Sequence, residues 1–152
     1  MDNHKQEYIF NLVKKVTKLS EVIHSYQSKP RDYGTGDKLY MREAHFIDRV
    51  GLDGADMGTL AHRLGVSNGA VSQTAARLEK KGYVYRQAAA QDSRIIYCFL
   101  TDRGKQIYES HRRVDEIKYP LFYQTLDDFS LRELELCDDF IERILEMYEE
   151  EE

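Results

Sequence analysis

Between Ala55 and Thr101 two short helical repeats, a tight turn and two strand-like runs follow one another almost without linker, and this stretch limits what the whole chain can fold into. Met57, Leu60, Ala61 and Leu64 fall at i, i+3, i+4 and i+7, one helical stripe, behind Asp56, whose short carboxylate suits an N-cap. Gly65 permits the positive φ of a sharp helix exit, Val66 is placed to plug the corner, and Ser67 suits the next N-cap. In the second repeat Val71, Ala75 and Leu78 form the inward stripe and Gly82 closes the helix. Small Ala61 allows a close, angled crossing, as in a helix-turn-helix rather than a parallel pair.

Tyr83 to Tyr85 and Ile95 to Leu100 then read as strands, with Ile96, Cys98 and Leu100 on one face and a loop from Gln87 to Ser93 between them. Helix, turn, helix and hairpin in this order describe a winged helix-turn-helix. The residues outside the second helical stripe, Asn68, Ser72, Gln73 and Arg77, suit DNA. Asn and Gln can pair with adenine, Arg with guanine or phosphate, and Ser with either. Arg94, near the wing tip, suits a narrow minor groove, where negative potential concentrates.

The chain resembles the MarR family of bacterial transcriptional regulators through Leu60-Ala61, Leu64-Gly65, Ser67, Val71, Leu78-Glu79, Lys81-Gly82, Arg86, Asp92-Ser93-Arg94, Leu100-Thr101 and Gly104. Each piece alone is weak, but their order is specific, and the resemblance extends over most of the chain. It implies one domain over residues 1–152, mainly α with a small β-wing: a DNA-binding head at 55–101 and dimerisation helices at 1–28 and 101–150. It further implies DNA contacts from Asn68, Gly69, Ala70, Ser72, Gln73 and Arg77, with Arg94 oriented in the wing by Asp92. Ala88-Ala89-Ala90 departs from the polar or basic wing of many relatives, which implies fewer phosphate contacts there.

At 152 residues with 41% hydrophobic side chains, the chain can bury one core of ordinary size. No apolar run reaches the ~18 residues of a membrane-spanning helix, and the polar segment from Met1 to Glu7 lacks a signal peptide's apolar core, so a cytoplasmic protein without a membrane partner is expected. Cys98 and Cys137 form no metal-type pair in sequence and are expected to be packing residues. The net charge of -5 argues against a nucleic-acid partner until its distribution is read. His62 to Lys105 holds eight Lys/Arg against three acids, whereas Asp127 to Glu152 holds twelve acids against two Arg. Phosphates would attract the first segment and repel the second. The terminal acidic run, Glu149 to Glu152, is expected to be a solvated helix end.

Outside the head, Ile9, Val13, Val16, Leu19, Ile23 and Tyr26 mark one helix to about Gln27, and Pro30 with Gly34-Thr35-Gly36 breaks it. A helix from Tyr40 to Val50 is expected to turn Tyr40, Ala44, Ile47 and Val50 inward and to stop at Gly51. After the wing Thr101 can cap a long helix striped by Ile107, His111, Val114, Ile117 and Leu121, which Pro120 is expected to bend or end. Ser130 and Glu133 form a capping box before Leu134, Cys137, Ile141, Ile144 and Tyr148, a packing seam. A lone chain has little to cover these terminal stripes, which fits a homodimer.

No phosphate-cradling glycine loop, H-E-x-x-H or paired nucleophile is present in the sequence, so a non-enzyme that requires no cofactor is expected. The expected function is a sequence-specific, ligand-responsive homodimeric repressor on an inverted-repeat operator in double-stranded DNA. A winged-helix protein-interaction module is the alternative from another class, though it would not need a basic reading face. Tyr33, Tyr40, His45 and Phe46 are candidate lining for a small-molecule effector pocket, with a packed core as the competing role. No cysteine precedes Cys98, which disfavours thiol sensing at the first helix. Resemblance to zinc-responsive family members implies a divalent-metal alternative, with His24, His45, His111 and Asp115 as candidate ligands.

Overall fold

The computed structural model describes residues 2–149. Its elements run α1 (Asn3–Gln27), β1 (Arg31–Asp32), β2 (Lys38–Leu39), α2 (Met41–Val50), β3 (Ala55–Asp56), α3 (Met57–Leu64), α4 (Asn68–Lys80), β4 (Val84–Ala88), β5 (Ile96–Leu100), α5 (Asp102–Gln124) and α6 (Leu131–Glu149). The chain divides into two compact units, residues 25–116 and residues 1–24 with 117–152, each described by itself. The acidic run beyond Glu149 lies outside the described residues.

Residues 25–116 carry the core. Val71, Ala75 and Leu78 of α4 are buried with Leu60 of α3, Phe46 and Ile47 of α2, and Cys98 and Leu100 of β5. The caps form as their residue types dictate: Asp56 accepts from Thr59 N at 2.9 Å, Ser67 accepts from Ala70 N at 3.3 Å, and Gly65 between them has φ +63°. The turn is thereby fixed at both ends. The wing is β4 paired antiparallel with β5, from Val84 opposite Leu100 to Ala88 opposite Ile96. Thr101 caps α5 through Gly104 N at 3.1 Å and also donates to the Gly82 carbonyl at 2.7 Å, joining that helix to the foot of the wing.

Several expectations are corrected. Val66 is 46% exposed and does not plug the turn, whereas Val71, placed by its spacing to fill the angle between the helices, is buried with Leu60. Tyr40 is the N-cap of α2 and exposed, because the extended conformation of a cap points away from the helix's inward stripe. Strand β4 runs on through Gln87 and Ala88, so the wing loop is shorter than its polar residues suggested. Two short pairings went unread, β3 with β5 and β1 with β2, since two-residue strands leave no alternation to detect. Helix α5 continues past Pro120 to Gln124.

In the other unit, Ser130 and Glu133 form the expected capping box, with Glu133 N donating to Ser130 Oγ at 3.3 Å and Ser130 N to Glu133 Oε2 at 2.8 Å. No residue of α1 is buried, and on α6 only Ile144 is. Leu19, Val22 and Ile23, then Leu121 and Phe122, then Leu134, Ile141 and Leu145 all present apolar surface to solvent. Cys137, expected to pack, is exposed within the same stripe. Among the described residues no helix is long and apolar enough to cross a membrane.

Candidate nucleic-acid interface

Helix α4 has two unlike faces because its buried stripe takes every third or fourth residue. Val71, Ala75 and Leu78 face the core, and Asn68, Gly69, Ala70, Ser72, Gln73 and Arg77 are all exposed. The side of the helix that is free therefore carries donors and acceptors at its first two turns and a guanidinium at its last. Gly69 and Ala70 keep the first turn slim, which allows its backbone close approach to a groove.

The C-terminal end of α4 is anchored twice. At its C-terminus Glu79 accepts from Arg86 N at 3.0 Å and from Arg86 Nη2 at 2.6 Å, a charge-assisted fork that joins helix to wing and holds the Glu79 carboxyl below its usual range. Glu43 on α2, 2% exposed, accepts from Lys81 Nζ at 2.9 and 3.1 Å and lies 3.5 Å from Arg77 Nε. Its second oxygen also accepts from Tyr40 N at 3.0 Å. Glu43 and Lys81 were missed as a pair from sequence because 38 residues separate them. Glu43 three residues after Tyr40 was the available signal, masked by a tyrosine in the capping position.

At the wing tip Asp92 receives Arg94 Nε at 3.0 Å and Nη2 at 2.9 Å, while its Oδ1 also takes Arg94 N at 3.0 Å. Those bonds hold the Asp92 carboxyl low and the Arg94 guanidinium high, so the arginine is presented as a fixed cation whose side chain is 89% exposed. Below the wing, buried Tyr83 donates to Asp37 Oδ2 at 2.7 Å, and Arg103 Nη2 donates to the same oxygen at 2.8 Å. This ties the β1–β2 segment to the start of α5. Asp37 was not anticipated either, since its partners come from distant turns.

The candidate effector residues have different surroundings. Phe46 is core at 2% exposure, Tyr40 opens onto a cleft with Arg42, Glu43, Arg77 and Lys81, and Tyr33 and His45 instead surround His111. Tyr33 stacks on the His111 ring at 6.1 Å and His45 meets it edge-on at 5.2 Å. His111 is buried; its Nδ1 lies 3.2 Å from Asp115 Oδ2, and among the described residues neither ring nitrogen makes a hydrogen bond. Burial and the neighbouring His111 hold His45 below its ordinary pKa. Two imidazoles and a carboxylate are thus neighbours, yet among the described residues no three such donors converge as a metal site. His24 belongs to the other unit. Burial pushes the Cys98 thiol up to about 12, so it is no reactive thiolate.

A MarR family model matches residues 44–95. The HTH-type transcriptional regulator PchR of Bacillus subtilis is 26% identical over 113 residues, 74% of this chain and 67% of PchR. Among solved structures, the adhesin competence repressor AdcR of Streptococcus pyogenes is similar with a TM-score of 0.76 and 25% identity, over 91% of this chain and 98% of AdcR. ZitR of Lactococcus lactis, in complex with DNA, has a TM-score of 0.70 at 16% identity, over 90% of this chain and 97% of ZitR, and supports the fold.

Proposed function

Because this chain belongs to the MarR family, we propose that it is a DNA-binding transcription regulator acting as a homodimeric repressor on an inverted-repeat operator. The observation that carries the reading is the exposed face of α4, with Ser72, Gln73 and Arg77 on it, the N-terminus capped by Ser67 and the C-terminal end anchored. Two such helices in a symmetric dimer would enter successive major grooves about one helical turn apart, and each Arg94 would reach an adjacent minor groove. The exposed apolar stripes of α1, α5 and α6 supply the surface for self-association, since residues such as Leu121, Phe122 and Leu134 have no cover within their own unit. Repression follows by occupancy of the promoter.

Selection from a random duplex pool tests this reading. A repressor enriches a two-fold symmetric site, bound by two chains with an affinity that falls steeply with salt. A winged helix serving protein interaction enriches nothing.

A second reading concerns the effector. A buried histidine whose ring nitrogens make no hydrogen bond among the described residues, and whose Nδ1 has only a 3.2 Å approach to Asp115, is costly unless something else binds it. This supports an effector that reaches His111 beside Tyr33 and His45, either a small hydrogen-bonding molecule or a divalent metal; the similar ZitR of Lactococcus lactis is a zinc-responsive MarR family member. Operator binding compared with and without chelator, and after added zinc, separates the two.

A further inference from the structure

Away from α4 and the wing, three arginines from three helices line one open cavity of about 320 Å³: Arg49 in the last turn of α2, Arg63 in the last turn of α3, and Arg112 midway along α5. Asp48 is the only carboxylate in the lining, so its charged groups leave two positive charges unbalanced. Two of the guanidinium groups are each held by one edge. Arg63 Nη1 donates to the Arg49 carbonyl at 2.9 Å, and Arg112 Nη1 donates to Tyr108 Oη at 2.9 Å. Arg49 pairs only loosely with Asp48, at 3.8 Å. A guanidinium has five N–H donors, so most of the donors around this cavity remain available.

Arg49 and Arg63 also complement the negative ends of their helices, which accounts for two of the cations. It does not account for Arg112, which sits in the middle of its helix and brings a third like charge to the same cavity. Cations drawn from three directions suit a tetrahedral oxyanion better than a single planar carboxylate, and each arginine fork matches a pair of phosphate oxygens. The volume is at the lower end of small-molecule sites, roughly 300–1,000 Å³, and so leaves room beyond a lone phosphate.

We propose that Arg49, Arg63 and Arg112 form a binding site for a phosphate-bearing dianion, separate from the DNA-reading face. Such an ion would bridge the ends of α2 and α3 to α5. The same phosphate chemistry is offered by a free phosphorylated small molecule and by the DNA backbone, and the cavity's lack of any α4 or wing residue favours the free ion.

Calorimetric titration of full-length protein with inorganic pyrophosphate, in chloride buffer at constant ionic strength, tests the site. The expected result is saturable binding of one ion per chain, weakened tenfold or more by Arg63→Gln/Arg112→Gln and unchanged by Lys18→Gln/Arg132→Gln, which removes the same charge elsewhere. Arg112→Gln alone, which keeps the Arg63 bond between α2 and α3, guards against a folding defect and is expected to weaken binding as well. Non-saturable binding, or equal binding in all these proteins, overturns the proposal. Loss of operator affinity with a shallower salt dependence in Arg112→Gln, without pyrophosphate binding in the parent, assigns the arginines to the DNA backbone and overturns it too.

Discussion

Glu43 and Lys81 face each other across the seam between α2 and the end of α4, with Lys81 Nζ bonded to both carboxylate oxygens at 2.9 and 3.1 Å. The pair turns a helix that would otherwise rest on its apolar stripe into one fixed in rotation. Because the same carboxylate lies 3.5 Å from Arg77 Nε, the geometry of a candidate DNA contact depends on a residue that faces the core.

Replacing Glu43 by Ala removes the carboxylate and leaves Lys81 and Arg77 facing each other. Breaking a fully buried pair costs about 3–5 kcal/mol, but the Lys81 side chain is 35% exposed and regains water, so a loss of about 2 kcal/mol is expected. Urea denaturation measures it; an unchanged midpoint would show that the seam is held by apolar contacts alone.

The wing fork separates positioning from contact. Arg94→Ala is expected to lower operator affinity by about 1–2 kcal/mol, while Asp92→Ala, which leaves the cation but releases it, is expected to cost less. Fluorescence anisotropy on one duplex ranks the two variants, and a larger loss for Asp92→Ala would contradict this assignment of roles.

Acid is expected to loosen the join between β2 and α5. The Tyr83 hydroxyl and then Arg103 hold the Asp37 carboxyl below its ordinary 3.8, so it takes up a proton less readily folded than unfolded. Its stabilisation is complete above 3.8 and fades as pH falls through the lowered value. The melting-temperature gap between the parent and Asp37→Asn should therefore be constant near neutrality and close below pH ~4. A gap that persists in acid would remove Asp37 from that linkage.

Gly104 lies where α5 starts against the wing's foot, and a Cβ there would collide with the Tyr83 carbonyl oxygen. Backbone cannot swing aside as a flexible side chain can, so Gly104→Ala is expected to cost about 3 kcal/mol despite alanine's better helix propensity. Thermal denaturation checks the sign, and a stabilised variant would mean that the helix start can shift.

The head was largely legible in the sequence because its signals are local. Asp56 and Ser67 cap within three residues of their partners, Gly65 stands where a positive φ is needed, and the stripe of Val71, Ala75 and Leu78 alone defines which face of α4 is left free. What was not legible depends on distance along the chain. Glu43 with Lys81 and Asp37 with Tyr83 are joined only by the finished fold, and the arginine cavity gathers three helices that share no sequence signal. Candidate effector residues were read as one group because aromatic and histidine side chains cluster in sequence, whereas the rotation of α2 sends Phe46 into the core and leaves His45 beside His111. The apolar stripes of the terminal helices were visible, as was their lack of cover.

The most direct test of the account is an anisotropy titration of the full-length protein on the selected inverted-repeat duplex, set against a duplex with one half-site scrambled, with Gln73→Ala in parallel. Two chains per intact duplex are expected, with a marked loss of affinity when a half-site is scrambled and a loss of about 1–3 kcal/mol for Gln73→Ala that is confined to the intact sequence. Equal binding to both duplexes, indifferent to Gln73, would contradict sequence reading by α4.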